Sequence, residues 1–122
     1  MVTDQNGTFG PGPHRLLVNG RDVAPLVVAD DRKSRRRGLL GSTELIGALW
    51  ITKCPSVHMI GMKYAIDVAS LDKSGRVLAV KTLRPGWGMT LPRLRVSATL
   101  EAPAGALVEW GVTVGDTLST AS

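Results

Sequence analysis

Turn signals punctuate this chain before any apolar run can grow long. Asn19-Gly20 stands between the runs 14–18 and 21–29, and Asp72-Lys73-Ser74-Gly75 stands between 66–71 and 76–83. Both turns contain residue types that tolerate a positive φ, so each predicts a hairpin joining two short strands. Residues 95–102 carry the strand period without a turn: Val96, Ala98 and Leu100 alternate with Arg95, Ser97, Thr99 and Glu101. Pro25 within the second run marks an edge position or a bulge.

Helical signals are few and brief. Asp30 and Asp31 suit a helix start, because a carboxylate accepts from the free N–H groups there, and Gly38 or Gly41 would end that helix. Pro103 and Gly111 frame a second short helix over 104–110. Residues 45–52 are apolar, and periodicity leaves strand and buried helix both open. Residues 53–56 and the Pro- and Gly-rich stretch 84–92, which contains Trp87, read as loops, and Gly115-Asp116 is a turn within 112–118. Strands do not alternate with long helices, which disfavours a parallel doubly wound sheet. The expected fold is mainly β (α+β): an antiparallel β-sandwich or a partly open barrel with two short helices. With aromatics at 4%, its core must be built from Val, Leu, Ile and Ala. The polar, Gly- and Pro-rich residues 1–13 are expected to be a disordered tail. Residues 14–122 are expected to form a single domain, since 122 residues support one core and not two.

Composition excludes several classes. One cysteine, Cys54, permits no intrachain disulfide, which removes the disulfide-stapled secreted scaffolds. The N-terminus lacks a charged start followed by an apolar stretch, and no apolar run approaches the roughly 20 residues of a membrane-spanning helix. A soluble, cytoplasmic protein is expected. The formal net charge is +5, and five of the 15 basic residues lie in Arg32-Lys33-Ser34-Arg35-Arg36-Arg37. Such a run can neutralise phosphates, but no aromatic residue is interleaved for base stacking, so a solvated helix face is preferred over nucleic-acid binding. Neither a phosphate-cradling Gly-rich loop nor a G-x-S-x-G elbow occurs.

The densest reactive cluster is Cys54-Pro55-Ser56-Val57-His58-Met59-Ile60-Gly61-Met62-Lys63. Thiolate, imidazole and thioether together suit a soft metal, and Cys54 with His58, oriented by Asp67, would suit nucleophilic catalysis. Both arrangements are thin in ligands or partners, and Cys54, Met59 and Met62 read more simply as adaptable core fillers. Asp67 lies inside an apolar strand, where a carboxylate must be paired, hydrogen-bonded or set at a cleft. Lys63 shares its face by parity, and Glu101 ends another strand, so Asp67 and Glu101 could form an acid/base pair or could each bind backbone amides.

Several segments resemble a prokaryotic family known as domain of unknown function 192, or uncharacterised protein family 0127. They begin with Arg37-Gly38-Leu39-Leu40, similar to the family's Arg-Gly-Leu-Met. The strongest is Ser56-Val57-His58-Met59-Ile60-Gly61-Met62-Lys63-Tyr64-Ala65-Ile66-Asp67, followed by Leu71-Asp72 and Gly75-Arg76-Val77. It is similar to a subgroup with His, then Gly-Met-Arg, then Pro-Ile-Asp. Leu100-Glu101, Ala104-Gly105, Gly111 and Gly115-Asp116 match the closing pattern, so the resemblance spans about Val23 to Leu118. Ala65 departs from the family's usual proline, and a leader of the kind many members carry is not expected here. The resemblance implies a β-rich, sandwich-like domain and no established activity.

The expected function is therefore a non-catalytic module that binds a small ligand or a protein partner, with no cofactor and no metal. The expected binding residues are His58, Met62, Lys63, Asp67 and Glu101, with the Arg84–Trp87 loop alongside. The alternatives are a hydrolase using Asp67 and Glu101 or Cys54 and His58, and a basic-patch nucleic-acid binder.

Overall fold

The structure, a computed structural model, describes residues 7–86, 88–90 and 92–122. Its elements in chain order are β1 (Thr8–Phe9), β2 (His14–Val18), β3 (Arg21–Ala29), α1 (Arg32–Arg37), β4 (Glu44–Leu45), β5 (Ala48–Thr52), β6 (Ile66–Leu71), β7 (Val77–Leu83), β8 (Ala98–Pro103), α2 (Ala106–Glu109) and β9 (Leu118–Ala121).

Both hairpins form where local chemistry places them. Asn19 and Gly20 take φ of 50° and 84°, and β2 pairs antiparallel with β3. At the second turn the Asp72 carboxylate accepts from the Ser74 amide at 2.9 Å, the Ser74 hydroxyl at 2.7 Å and the Arg76 amide at 3.0 Å. These three bonds hold the turn that joins β6 to its antiparallel partner β7.

Seven strands make one sheet in the order β7-β6-β8-β5-β3-β2-β9. The sheet curls until its two edges touch at one corner. There the Val77 amide donates to the Asp116 carbonyl and the Leu118 amide to the Gly75 carbonyl, both at 2.8 Å, around an Arg76–Thr117 bridge. Of the two expected architectures, this is the partly open barrel. Gly75 sits at the closure with φ of 85°, and a β-carbon there would press on the Leu118 carbonyl oxygen. Gly75→Ala is expected to cost about 2–3 kcal/mol, from positive-φ strain and a backbone that must shift. Urea denaturation followed by circular dichroism checks this, and an unchanged midpoint would contradict it.

The sheet is not wholly antiparallel. Residues 45–52 supply the end of β4 and all of β5, and β5 pairs parallel with β3, from Leu26 opposite Ala48 to Ala29 opposite Ile51. The intervening segment, with α1 in it, is long enough to carry the chain back to the same end of the sheet. The Asp31 side chain caps α1 by accepting from the Ser34 amide at 2.8 Å, and Gly38 ends it with φ of 50°. The cations Arg35, Arg36 and Arg37 occupy its last turn, where they complement the helix dipole.

Phe9 corrects the expected tail. β1 pairs parallel with β4, and Phe9, 5% exposed, is buried in the core. Residues 7–9 therefore belong to the folded domain, because the one Phe of the chain has an apolar seat. The part of that expectation covering residues 1–6 lies outside the described residues.

Apolar side chains cover both faces of the sheet. Leu16, Leu26, Leu71, Leu100, Leu107 and Leu118 pack within the curl. Leu39, Leu49, Ile51, Met59, Ile66 and Val68 pack on its outer face, beneath the segments that follow α1 and β5. The expected polar face of β8 is accordingly covered: Thr99 and Glu101 are buried. Among the described residues, no helix is long and apolar enough to cross a membrane.

Candidate functional site

Asp67 and Glu101 are separated by the sheet itself. β6 and β8 pair with Asp67 opposite Ala102 and Val68 opposite Glu101. Directly opposed residues share a face, so Asp67 points into the curl and Glu101 to the outer face. The proposed acid/base pair is not formed, which removes the hydrolase alternative built on it.

Asp67 is fully engaged. One carboxylate oxygen accepts from the Thr82 hydroxyl at 2.7 Å, and the other from the Gly105 and Leu107 amides at 3.0 and 3.2 Å. Gly105 is the N-cap of α2 and offers no capping side chain of its own, so Asp67 caps that helix from a neighbouring strand. Its carboxylate is thus taken up by the fold and lies outside the cavity described next. Lys63 is exposed and lies outside that cavity too.

Glu101 is the opposite case. It is 4% exposed, no described residue hydrogen-bonds to it, and desolvation alone pushes its carboxyl up to about 7. It lines a cavity of about 110 Å³ on the outer face of the sheet. Ile51 and Ile66 line it from β5 and β6. The end of α1 and the turn after it contribute Arg35, Arg36, Arg37, Gly38, Leu39 and Leu40. The loop after β5 contributes Cys54, Ser56, Val57, His58, Met59 and Met62.

Two sets of hydrogen bonds fix these walls to the rest of the fold. The Ser42 hydroxyl donates to the Leu39 carbonyl at 2.6 Å and bonds the Tyr64 hydroxyl at 2.7 Å, tying the turn after α1 to the chain entering β6. On the other wall, the Val57 amide donates to the Thr90 hydroxyl and the Thr90 amide returns to the Val57 carbonyl, both at 2.8 Å. Met59, fully buried, donates its amide to the Gly88 carbonyl at 2.9 Å.

Three of the five expected binding residues, His58, Met62 and Glu101, therefore meet at one cavity, and Asp67 and Lys63 do not. Arg84 is exposed and outside the cavity, and Trp87 lies outside the described residues. Arg35, Arg36, Arg37 and Cys54 join the lining without having been expected there. A signal for the α1 wall did exist: Arg37-Gly38-Leu39-Leu40 is the first segment of the family resemblance.

Cys54 is not built as a nucleophile. It is half-buried, burial pushes its thiol up, and nearby Glu101 pushes the same way. Its Sγ donates to the Ser56 carbonyl at 3.2 Å. Iodoacetamide at pH 7 is expected to label Cys54 more slowly than free cysteine, with His58→Ala leaving the rate unchanged. Rapid labelling that His58→Ala abolishes would restore the Cys54–His58 reading. Among the described residues, no group of three or more His, Cys, Asp or Glu is placed to hold a metal ion.

The fold is shared by solved structures, among them the following two. One, a protein of unknown function from Novosphingobium aromaticivorans, superimposes with a TM-score of 0.72 at 21% identity, over 86% of this chain and 83% of its own. The other, from Sinorhizobium meliloti and described as a "putative transcription regulator", gives 0.70 at 21% identity, over 88% and 91%. No curated protein matches the chain in sequence. The family model for DUF192, described as uncharacterized ACR, matches residues 15–120, the whole curled sheet from β2 through most of β9. The chain belongs to the DUF192 family.

Proposed function

We propose that this protein is a non-catalytic binding module whose ligand seats a small polar group against Glu101. One observation carries the reading: Glu101, a residue only 4% exposed, has no hydrogen-bond donor among the described residues, and its carboxyl is left open to a cavity. Burying such a group unpaired destabilises the fold, and an apolar residue in its place would cost nothing comparable. Its presence is explained when a ligand supplies the missing partner. The anchored walls support the same reading, because their hydrogen bonds are made before any ligand arrives. The single free thiol agrees with a cytoplasmic setting.

The test is amide chemical-shift mapping of the intact protein with acetate, acetamide and ethylammonium. At least one probe is expected to move the resonances of Gly38, Met59 and Glu101, and Glu101→Leu is expected to eliminate the response. If none of the three moves them, the cavity is not a binding site.

A further inference from the structure

The cavity has chemically distinct parts. Glu101 offers an unpartnered carboxyl, Arg35, Arg36 and Arg37 contribute cationic side chains, and Ile51 and Ile66 are apolar. Its volume of about 110 Å³ is small; a dry cavity of about 150 Å³ just admits benzene. It therefore encloses one end of a molecule, and the other end remains at the mouth.

We infer, resting on the binding reading above, that the ligand is a short-chain carboxylic acid whose far end carries an acceptor oxygen. Its carboxylate stays with the arginines, its chain lies along the apolar walls, and protonated Glu101 donates to the far oxygen.

Each part of this assignment has a physical cause. Guanidinium groups recognise carboxylates through paired, charge-assisted hydrogen bonds. The same arginines, in a chain of net charge +5, repel a cationic ligand that would otherwise suit a buried carboxylate. Glu101 holds its proton up to about pH 7, and a neutral carboxylic acid in an apolar site is a hydrogen-bond donor. The charged and titratable groups facing it are Arg35, Arg36 and Arg37 from α1, Cys54 and His58 from the loop after β5, and Tyr64 before β6. β5 and β6 present only Ile51 and Ile66. An anion at the mouth offsets the arginines and favours the protonated form of Glu101 further, so binding is accompanied by proton uptake.

Isothermal titration of the intact protein with levulinate, valerate and 5-aminovalerate tests the inference. Levulinate has the far oxygen, valerate lacks it, and 5-aminovalerate carries an ammonium there. Levulinate is expected to bind about tenfold more tightly than valerate, the worth of one enclosed hydrogen bond. Its affinity is expected to fall about tenfold from pH 6 to pH 8 as the donor proton is lost. Glu101→Gln, which keeps an N–H donor, should retain levulinate and lose that pH dependence. The double variant Arg35→Gln/Arg36→Gln should weaken levulinate and valerate alike. A preference for 5-aminovalerate, or affinity that rises with pH, overturns the acceptor assignment. Failure of all three probes overturns the inference; the shift mapping with acetate, acetamide and ethylammonium shows separately whether the binding site falls with it.

Discussion

Glu101→Leu is expected to be more stable than the parent at pH 8, and by about 3 kcal/mol more than at pH 4.5. The folded carboxyl sits at about 7 against an ordinary value of 4.5, so the folded state binds the proton more tightly than the unfolded chain. The parent therefore has this group's full contribution below about pH 4.5. It loses stability as pH rises from 4.5 to about 7, and the loss is complete above that. At about 1.4 kcal/mol per pH unit, the 2.5-unit difference amounts to about 3 kcal/mol. Leucine has no proton to lose and fills the site with apolar volume, as hydrophobic replacements of buried charges commonly do. Asp22, Asp31, Asp72 and Asp116 are all held below the usual carboxylate range by hydrogen bonds at the surface. Their contributions are present across pH 4.5–8, are lost only in more acid solution, and cancel between parent and variant. Urea titrations of both proteins across pH 4.5–8 check the result, and parallel stability profiles would contradict it. The variant should gain stability as it loses binding, a trade-off expected where a site holds a destabilising group for function.

Asp67→Ala is expected to destabilise the protein by about 3–4 kcal/mol, because removing the carboxylate strands two amides at the start of α2 and leaves a void in the curl. The Gly105 and Leu107 amides lose their acceptor, and Leu107 is fully buried. The Thr82 hydroxyl is on an exposed residue and can turn to water, so it adds little. Asp67→Asn keeps one acceptor oxygen and should lose about half as much. Hydrogen exchange should quicken first at Gly105–Leu107. Since Asp67 and Glu101 occupy opposite faces, Asp67→Asn should leave probe binding at the Glu101 cavity unchanged. Equal exchange rates in parent and variant would rule out the capping role, and lost probe binding would mean that the two faces are coupled.

The hairpins were legible because their cause is local. Asn19-Gly20 and the Asp72 turn carry their own φ preferences and hydrogen-bond acceptors, and nothing distant is needed to form them. The α1 cap was legible for the same reason, with Asp31 three residues ahead of the Ser34 amide that it accepts from. β5 was not, because an apolar run becomes a parallel strand only when β3 lies beside it. Nor does the order of Phe9 show in its local sequence, because its seat is made by residues far along the chain.

The candidate site was half legible. His58 and Met62 could be singled out as reactive side chains, and both Asp67 and Glu101 as carboxylates in apolar strands. What set those two carboxylates apart was register: Val68, and not Asp67, stands opposite Glu101. A shift of one residue would reverse that arrangement, and no pattern within either strand records it.

By itself, the chain's sequence determined the short strands, the tight turns, the helix cap at Asp31 and the need for every buried carboxylate to find a partner or keep its proton. Tertiary structure alone decided that Asp67 finds two helix amides while Glu101 finds only a cavity. Strand propensity and turn chemistry act over a few neighbouring residues, whereas the surroundings of a buried charge are assembled from α1, β5, β6, β8 and the loop after β5 once the sheet has curled.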